Sequence, residues 1–458
     1  MAPQRDTLPL ELLCCPRCRG PLVDAALPSC AACGIEYPSV AGMPWLFADP
    51  AAALGEWRAR VHGLLAALEG QADRYRAAIG DGGRASARTR LKLLAAACTD
   101  HARRLRALLA PLGADTAAAA PELYGALGMN VPTGQGLTGY YANLHRDWCW
   151  GEVENEAAWR TLDRALADEP PGRTLLLGVG AGRLAHDLAT RRRPAALVAA
   201  DINPLFLCAV RRLFAGERLE LYEFPIAPRG IEEHAILRVL QAPAPVPGVH
   251  LVFGDATQAP FAPGMFDTVI TPWFVDIVDD DFPAFARRVN GWLRPGGRWV
   301  NTGSLAFGAD DPARRYAFEE VLEIVSESAF ACSEPMEEVT PYLCSPASRH
   351  GRTETVVTFV ARKQGEVQVP PAPSRQPPWL QATDRPVPLL PEIQGRQLEL
   401  RVLAYVASLV DGQRSVRDIA AVLVAQRLMA PEEAVPTVCA FLSRLYAESR
   451  ASKPGPPL

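Results

Sequence analysis

The chain has 458 residues, 49% apolar and 21% charged, with a formal net charge of −4. That length exceeds one ordinary domain, and the apolar share is ample for a buried core. The balance of charge argues against general nucleic-acid binding. No run of eighteen apolar residues suits a membrane span, and the start, Met-Ala-Pro-Gln-Arg-Asp, leads to no apolar signal core, so a cytoplasmic protein is expected.

Five of the eleven cysteines fall within residues 14–33. Cys15 and Cys18 form one CxxC turn, Cys30 and Cys33 a second, eleven residues apart. Two such turns can bring four thiolates to tetrahedral zinc, and so small a lobe has little core without it. Four protein ligands close the site, which makes the zinc structural. Cys14 is surplus and competes with Cys15 for the ligand place. The segment, with its tail Tyr37-Pro38 and Gly42-Met43-Pro44-Trp45-Leu46, resembles the zinc ribbons of the tRNA-methyltransferase-activator type; residues 1–50 are assigned to it.

Residues 51–130 are expected to form a helical neck. Trp57, Val61, Leu64, Leu65, Leu68, Ala72, Tyr75 and Ile79 recur at helical spacing, as do Leu91, Leu94, Ala95, Cys98, Ala102, Leu105 and Leu109, with a Gly80-Asp81-Gly82-Gly83 turn between. The basic residues Arg84, Arg88, Arg90, Lys92, Arg103, Arg104 and Arg106 read as a solvated face in preference to an RNA-contacting patch.

Thr174-Leu-Leu-Leu-Gly-Val-Gly-Ala-Gly182 is an apolar strand entering a glycine turn, and Asp201 ends the next strand about twenty residues on. This signal alone is shared with dinucleotide enzymes, which favour a third glycine at the place of Arg183. The series continues with Val252-Phe-Gly-Asp-Ala256, Phe266-Asp-Thr-Val-Ile-Thr271 and Leu293-Arg-Pro-Gly-Gly-Arg-Trp-Val-Asn301. In that order it resembles the class I S-adenosylmethionine-dependent methyltransferases. The fold class expected is a Rossmann-like α/β sheet over 131–363. The cofactor residues expected are Gly178, Gly180, Gly182 and Arg183 in the loop, Asp201 for the ribose hydroxyls and Asp255 for the adenine amino group. Because the glycine loop belongs to another core than the zinc lobe, loss of zinc is expected to spare cofactor affinity.

A narrower resemblance rests on Arg146-Asp147-Trp148 with Glu152 and Glu156, on Gly182-Arg183-Leu184-Ala185, on Phe274-Val275-Asp276, on Pro295-Gly-Gly-Arg-Trp-Val-Asn-Thr-Gly-Ser-Leu305, and on Tyr342 with Ser345-Pro346 and Ser348. These are similar to the carnosine N-methyltransferases, which methylate an imidazole nitrogen of a histidine dipeptide. The resemblance implies that Asp276 accepts a hydrogen bond from one imidazole nitrogen and that Tyr342 lines the acceptor site. It makes Trp148, Phe274 and Glu354 further acceptor-side candidates. The alternative for Asp276 is a helix N-cap beside Asp279, Asp280 and Asp281. Gly308 stands where the family has a histidine and Glu354 where it has a second tyrosine, so carnosine itself is expected to be a poor substrate. His350 lies nearby in a polar loop.

Residues 364–392 are proline-rich, as at Pro370-Pro371-Ala372-Pro373 and Pro377-Pro378, and read as a linker. Residues 393–450 suggest three helices, with Ser415 an N-cap. Leu409-Val-Asp-Gly-Gln-Arg-Ser-Val-Arg-Asp-Ile-Ala420 resembles the small winged-helix peptide chaperones of pyrroloquinoline-quinone biosynthesis; a docking or dimerising helical cap is the plainer alternative. The expected function is S-adenosylmethionine-dependent N-methylation of an imidazole nitrogen in a small molecule or peptide. Its rivals are modification of a ribosomally made peptide or protein side chain held by the C-terminal module, and an inactive scaffold or RNA adaptor.

Overall fold

The computed structural model describes residues 8–80, 83–113, 136–278, 280–308, 312–371 and 386–451. The expected turn residues Asp81 and Gly82, the last part of the neck (114–130), Asp279 and the linker prolines 373, 377 and 378 lie outside them. The chain divides into one unit running to Pro373 and a second spanning Ser374–Pro456.

In the first unit, β1 (Leu22–Val23) and β2 (Ser29–Cys30) form the antiparallel ribbon, and β3 (Ser39–Val40) turns into β4 (Met43–Leu46). Helices α1 (Pro50–Gly80) and α2 (Ala85–Leu109) follow and pack on each other. Their apolar stripes, including Trp57, Val61, Leu65 and Leu68 on α1 and Ala102, Leu105 and Leu109 on α2, are buried in the main core. The basic residues of α2 are partly neutralised where they stand: Arg103 and Arg104 pair with Asp100, Arg104 also with Glu220, and Arg106 with Glu69.

The remaining elements alternate as a doubly wound sheet requires. After a π-helical turn at Arg146–Trp150 come α3 (Glu152–Leu166), β5 (Arg173–Leu177), α4 (Arg183–Arg191), β6 (Ala196–Asp201) and α5 (Pro204–Phe214). A hairpin of β7 (Leu219–Glu223) and β8 (Ile236–Leu240) precedes β9 (Val249–Gly254) and β10 (Phe266–Pro272). Then follow α6 (Phe282–Trp292), β11 (Leu293–Gly303), α7 (Phe318–Glu327), β12 (Phe330–Cys332), β13 (Met336–Tyr342) and β14 (Arg352–Lys363). The sheet order is β12-β14-β11-β10-β5-β6-β9-β4-β3, with β13 also beside β14. Strands β4, β9, β6, β5, β10 and β11 are parallel and β14 runs against them. Leu175–Leu177 and Leu197–Ala200 are buried throughout, as strands covered on both faces must be. The strand order reverses between β5 and β10, so a crevice for a ligand opens at their carboxyl ends.

The ribbon does not have a core of its own, contrary to the sequence-based expectation. Trp45 and Leu46 of β4 pair in parallel with Phe253 and Gly254 of β9. Leu12, Leu13, Cys15, Cys30, Tyr37 and Leu46 share one cluster with Leu175, Val198, Val252, Phe261 and Phe266. An uncovered β9 would leave a row of backbone donors and acceptors at the sheet edge, and the apolar tail of the ribbon covers it.

The second unit holds α8 (Pro391–Ser408), α9 (Val416–Ala425) and α10 (Pro431–Ala451) around Val406, Leu409, Ile419, Leu423 and Val438. Ser415 caps α9 in a reciprocal pair with Asp418. Among the described residues no strand accompanies these helices. Among the described residues no helix is long and apolar enough to cross a membrane.

Candidate active site and metal centre

The four cysteine sulfurs of the ribbon lie within 4.8 Å of one another, with Cys18 and Cys30 3.3 Å apart and Cys15 and Cys33 3.7 Å apart. The backbone N–H groups of Cys18 and Cys33 point at the sulfurs of Cys15 and Cys30, and the Tyr37 hydroxyl is 2.9 Å from Cys15 Sγ. A Cβ on Gly20 would stand 3.2 Å from the sulfurs of both Cys18 and Cys30, so glycine is what the knuckle admits. This donor set fits tetrahedral zinc, with N–H and hydroxyl groups already placed to hydrogen-bond the sulfurs. Cys14 is no competitor: its thiol donates to the Phe261 carbonyl at 3.2 Å, inside the core. The ribbon also grips the chain beyond β9, because Arg19 donates to the carbonyls of Ala259 and Phe261 and the Cys14 N–H to that of Pro260.

At the carboxyl ends of the central strands, Gly178, Gly180 and Gly182 have φ of +74°, +53° and +91°, which side chains other than glycine resist. A Cβ on Gly178 would meet the Phe274 ring at 2.6 Å and one on Gly182 would meet Val210 at 2.7 Å, while Gly180 faces open space. Asp201 ties this loop to β6. One oxygen accepts from the Gly180 N–H at 2.8 Å and the other from the Asn203 N–H at 2.9 Å. Burial pushes its carboxyl above the usual range, opposed by these backbone bonds. Asp255 follows β9, half-buried, with one oxygen accepting from both Thr257 donors at 2.8 Å.

Two candidates do different work from that expected. The Arg183 guanidinium turns away from the crevice to Glu152 (3.0 and 3.1 Å), Asp187 (3.0 Å) and the Asp147 carbonyl. Trp148 is buried beneath the loop, its indole N–H donating to the Ala181 carbonyl at 2.6 Å and its ring edge-on to His186. Both shape the loop from behind. The Arg-Asp-Trp motif is thus a support, and Asp147 completes it by accepting from the Arg183 N–H at 3.2 Å.

On the β10 side, Trp273 (φ +45°), Phe274 and Asp276 leave the strand end together. One oxygen of Asp276 accepts from the Ser304 hydroxyl at 2.9 Å and the Ala306 N–H at 2.7 Å; the other accepts nothing from the described residues. Asp276 caps the turn after β11, and the helix α6 begins from Asp281 instead. Glu354 on β14 accepts from the Trp273 indole at 3.3 Å and pairs with Arg352 at 2.6 Å. Tyr342 is buried under two guanidinium groups, with Arg352 4.5 Å and Arg146 5.6 Å from its ring centre, and burial raises its hydroxyl above the usual phenol range. Tyr140, which sequence reasoning missed, lies within electrostatic reach of Tyr342, Asp276 and Arg352, its phenol raised chiefly by burial. No motif marks it; its one signal is the aromatic pair Tyr140-Tyr141 just ahead of Arg146. Glu154 of α3 accepts from the N–H groups of Leu343 and Cys344, fixing the end of β13. Gly308 and His350 are both exposed.

Residues 175–300 match the family model for a methyltransferase domain. The chain carries a class I S-adenosylmethionine-dependent methyltransferase domain. No curated protein matches the chain. Among solved structures, a candidate methyltransferase of Bacillus halodurans C-125 is 15% identical over 45% of this chain and 98% of its own, with a TM-score of 0.32. A chain of the Haloferax volcanii complex between a methyltransferase activator and a candidate methyltransferase is 15% identical over 50% and 97%, with a TM-score of 0.36. Phosphoethanolamine N-methyltransferase 2 of Haemonchus contortus, solved with S-adenosyl-L-methionine, is 17% identical over 52% of this chain and 61% of its own, with a TM-score of 0.34. Within the sheet, the glycine loop, Asp201 and Asp255 stand at the carboxyl ends of β5, β6 and β9, and Phe274 and Asp276 follow the carboxyl end of β10.

Proposed function

We propose that the protein is an S-adenosylmethionine-dependent N-methyltransferase whose acceptor nitrogen belongs to an imidazole. Bound S-adenosylmethionine supplies an electrophilic methyl group on a positively charged sulfur. Gly178, Gly180 and Gly182 let backbone approach its methionine part, Asp201 holds the ribose hydroxyls, and Asp255 holds the adenine amino group.

The observation that carries the reading is the state of Asp276. Ser304 and Ala306 fix one oxygen, leaving the other for an incoming N–H. A neutral imidazole that donates one N–H to this oxygen turns the lone pair of its other nitrogen toward the methyl group. The same carboxylate then stabilises the imidazolium formed by transfer. Phe274, packed on Gly178, sets the acceptor side directly against the cofactor side.

The test is a panel of histidine dipeptides, free histidine and histidine-bearing peptides, incubated with S-adenosylmethionine and read by mass spectrometry. At least one methylated imidazole is expected, with carnosine turned over poorly because Gly308 and Glu354 replace family contacts. Turnover of a non-imidazole acceptor alone, unaffected by Asp276→Asn, would sink the assignment.

A further inference from the structure

The loop that carries Asp276 is bordered on its far side by the chain that leaves the sheet after β14. Asp280, four residues beyond Asp276, forms a buried two-point pair with Arg288 of α6: Nε to Oδ2 at 2.8 Å and Nη2 to Oδ1 at 3.3 Å. Asp280 also accepts from the Asp281 N–H at 2.9 Å, at the start of α6. The remaining face of the Arg288 guanidinium, through Nη1, donates to the carbonyls of Pro370 at 3.1 Å and Pro371 at 3.2 Å. One turn further along α6, Gly291 leaves the space in which Val369 sits; a Cβ there would come within 2.6 Å of Val369 Cγ2.

Each of these features has a physical reason. A buried ion pair is favourable only when its remaining donors are satisfied, and Nη1 would be left without a partner if 370–371 moved away. Two consecutive prolines present carbonyls while having no N–H of their own to satisfy, which suits a segment crossing a helix without pairing. The planar fork of arginine can serve a carboxylate and two carbonyls together, where a lysine would serve them in turn.

We propose that residues 369–371 are a strap, and that Arg288 is a positioning residue which uses it to hold the Asp276 loop in register with the cofactor side. Loss of the strap contacts is read at Asp280, whose Arg288 partner they complete, and from there at the Asp276 loop. The part played by Asp276 rests on the acceptor reading above; the mechanical coupling from strap to loop does not.

The experiment uses the full chain and two variants. Gly291→Leu evicts Val369 while leaving Arg288 and Asp280 untouched. Arg288→Lys keeps the charge but loses the fork. Amide hydrogen exchange at Ile277, Val278, Asp280 and Asp281 should quicken at least tenfold in both, with β6 exchanging as in the wild type. For whichever acceptor the panel identifies, KM should rise at least fivefold while S-adenosylhomocysteine affinity stays within twofold. Unchanged exchange in the loop with Gly291→Leu overturns the proposal. If that variant loosens β6 as well, Arg288→Lys decides by the same comparison. A protein that methylates nothing but shows the local quickening keeps the strap and loses the imidazole reading.

Discussion

Asp276 and Asp201 are both carboxylates at strand ends, yet their bonds give them different duties. Ser304 and Ala306 fix one oxygen of Asp276, and in the proposed reading the other takes the acceptor N–H. Asp276→Asn keeps the shape and, in the proposed reading, removes the charge that faces the forming imidazolium. Turnover should fall about a hundredfold or more, on the order of 3 kcal/mol, with cofactor affinity little changed; titration and rate measurements on one preparation check both halves. Asp201 already accepts from Gly180 and Asn203, so Asp201→Ala frees the glycine loop and, in the proposed reading, also removes the ribose contact. Calorimetry with S-adenosylhomocysteine should show affinity lower by about one to two decades, since charge-assisted hydrogen bonds are worth roughly 1.5–3 kcal/mol each and water replaces part of the loss.

At the scale of elements, the ribbon and the sheet are one construction. Arg19 and Cys14 hold the turn 259–261 and β4 extends the sheet beside β9, whose end carries Asp255. Stripping zinc should therefore weaken S-adenosylhomocysteine binding, by about tenfold or roughly 1.4 kcal/mol, in addition to loosening the ribbon. Metal analysis should find that Cys30→Ser loses the zinc and Cys14→Ser keeps it. Full cofactor affinity in the metal-free protein would mean that β9 holds its end without the ribbon.

For the whole molecule, acid is the expected weakness. His101 and His145 are buried where α2, the segment 141–145 and β7 meet, with the rings of Tyr141, Tyr222 and Phe224 around His101. Burial lowers their pKa values to about 4 and about 3, with Arg104 and Arg238 acting in the same direction and Asp100 and the Tyr222 carbonyl against it. Both folded values lie below the ordinary 6.5, so between about 6.5 and 4 only the unfolded chain takes up these protons. Stability is then lost as pH falls through that window, at up to about 2.7 kcal/mol per pH unit for the pair. Denaturant melts from pH 7 to pH 5 should show this slope. His101→Phe should about halve it, because both ring nitrogens of His101 lack a hydrogen-bond partner among the described residues and phenylalanine suits the aromatic surround.

The sequence alone determined what local chemistry dictates. Two CxxC turns specify a four-sulfur cluster, and apolar runs ending in glycines or aspartates specify parallel strands with a ligand crevice at their ends. Patterns of period 3.6 specify the neck helices. These signals are local because a turn conformation, a strand buried on both faces or a helix stripe is set by a few neighbouring residues. Only the tertiary structure decided which side chains meet across long separations. Arg183 and Trp148 read as ligand contacts because they stand in motifs, but α3 and α4 bring partners that turn them behind the glycine loop. Tyr140 reads as nothing until the fold sets it near Tyr342 and Asp276, some 200 and 136 residues away in the chain. The union of ribbon and sheet was equally illegible, since β4 looks like the end of a small lobe until the open edge of β9 requires a partner.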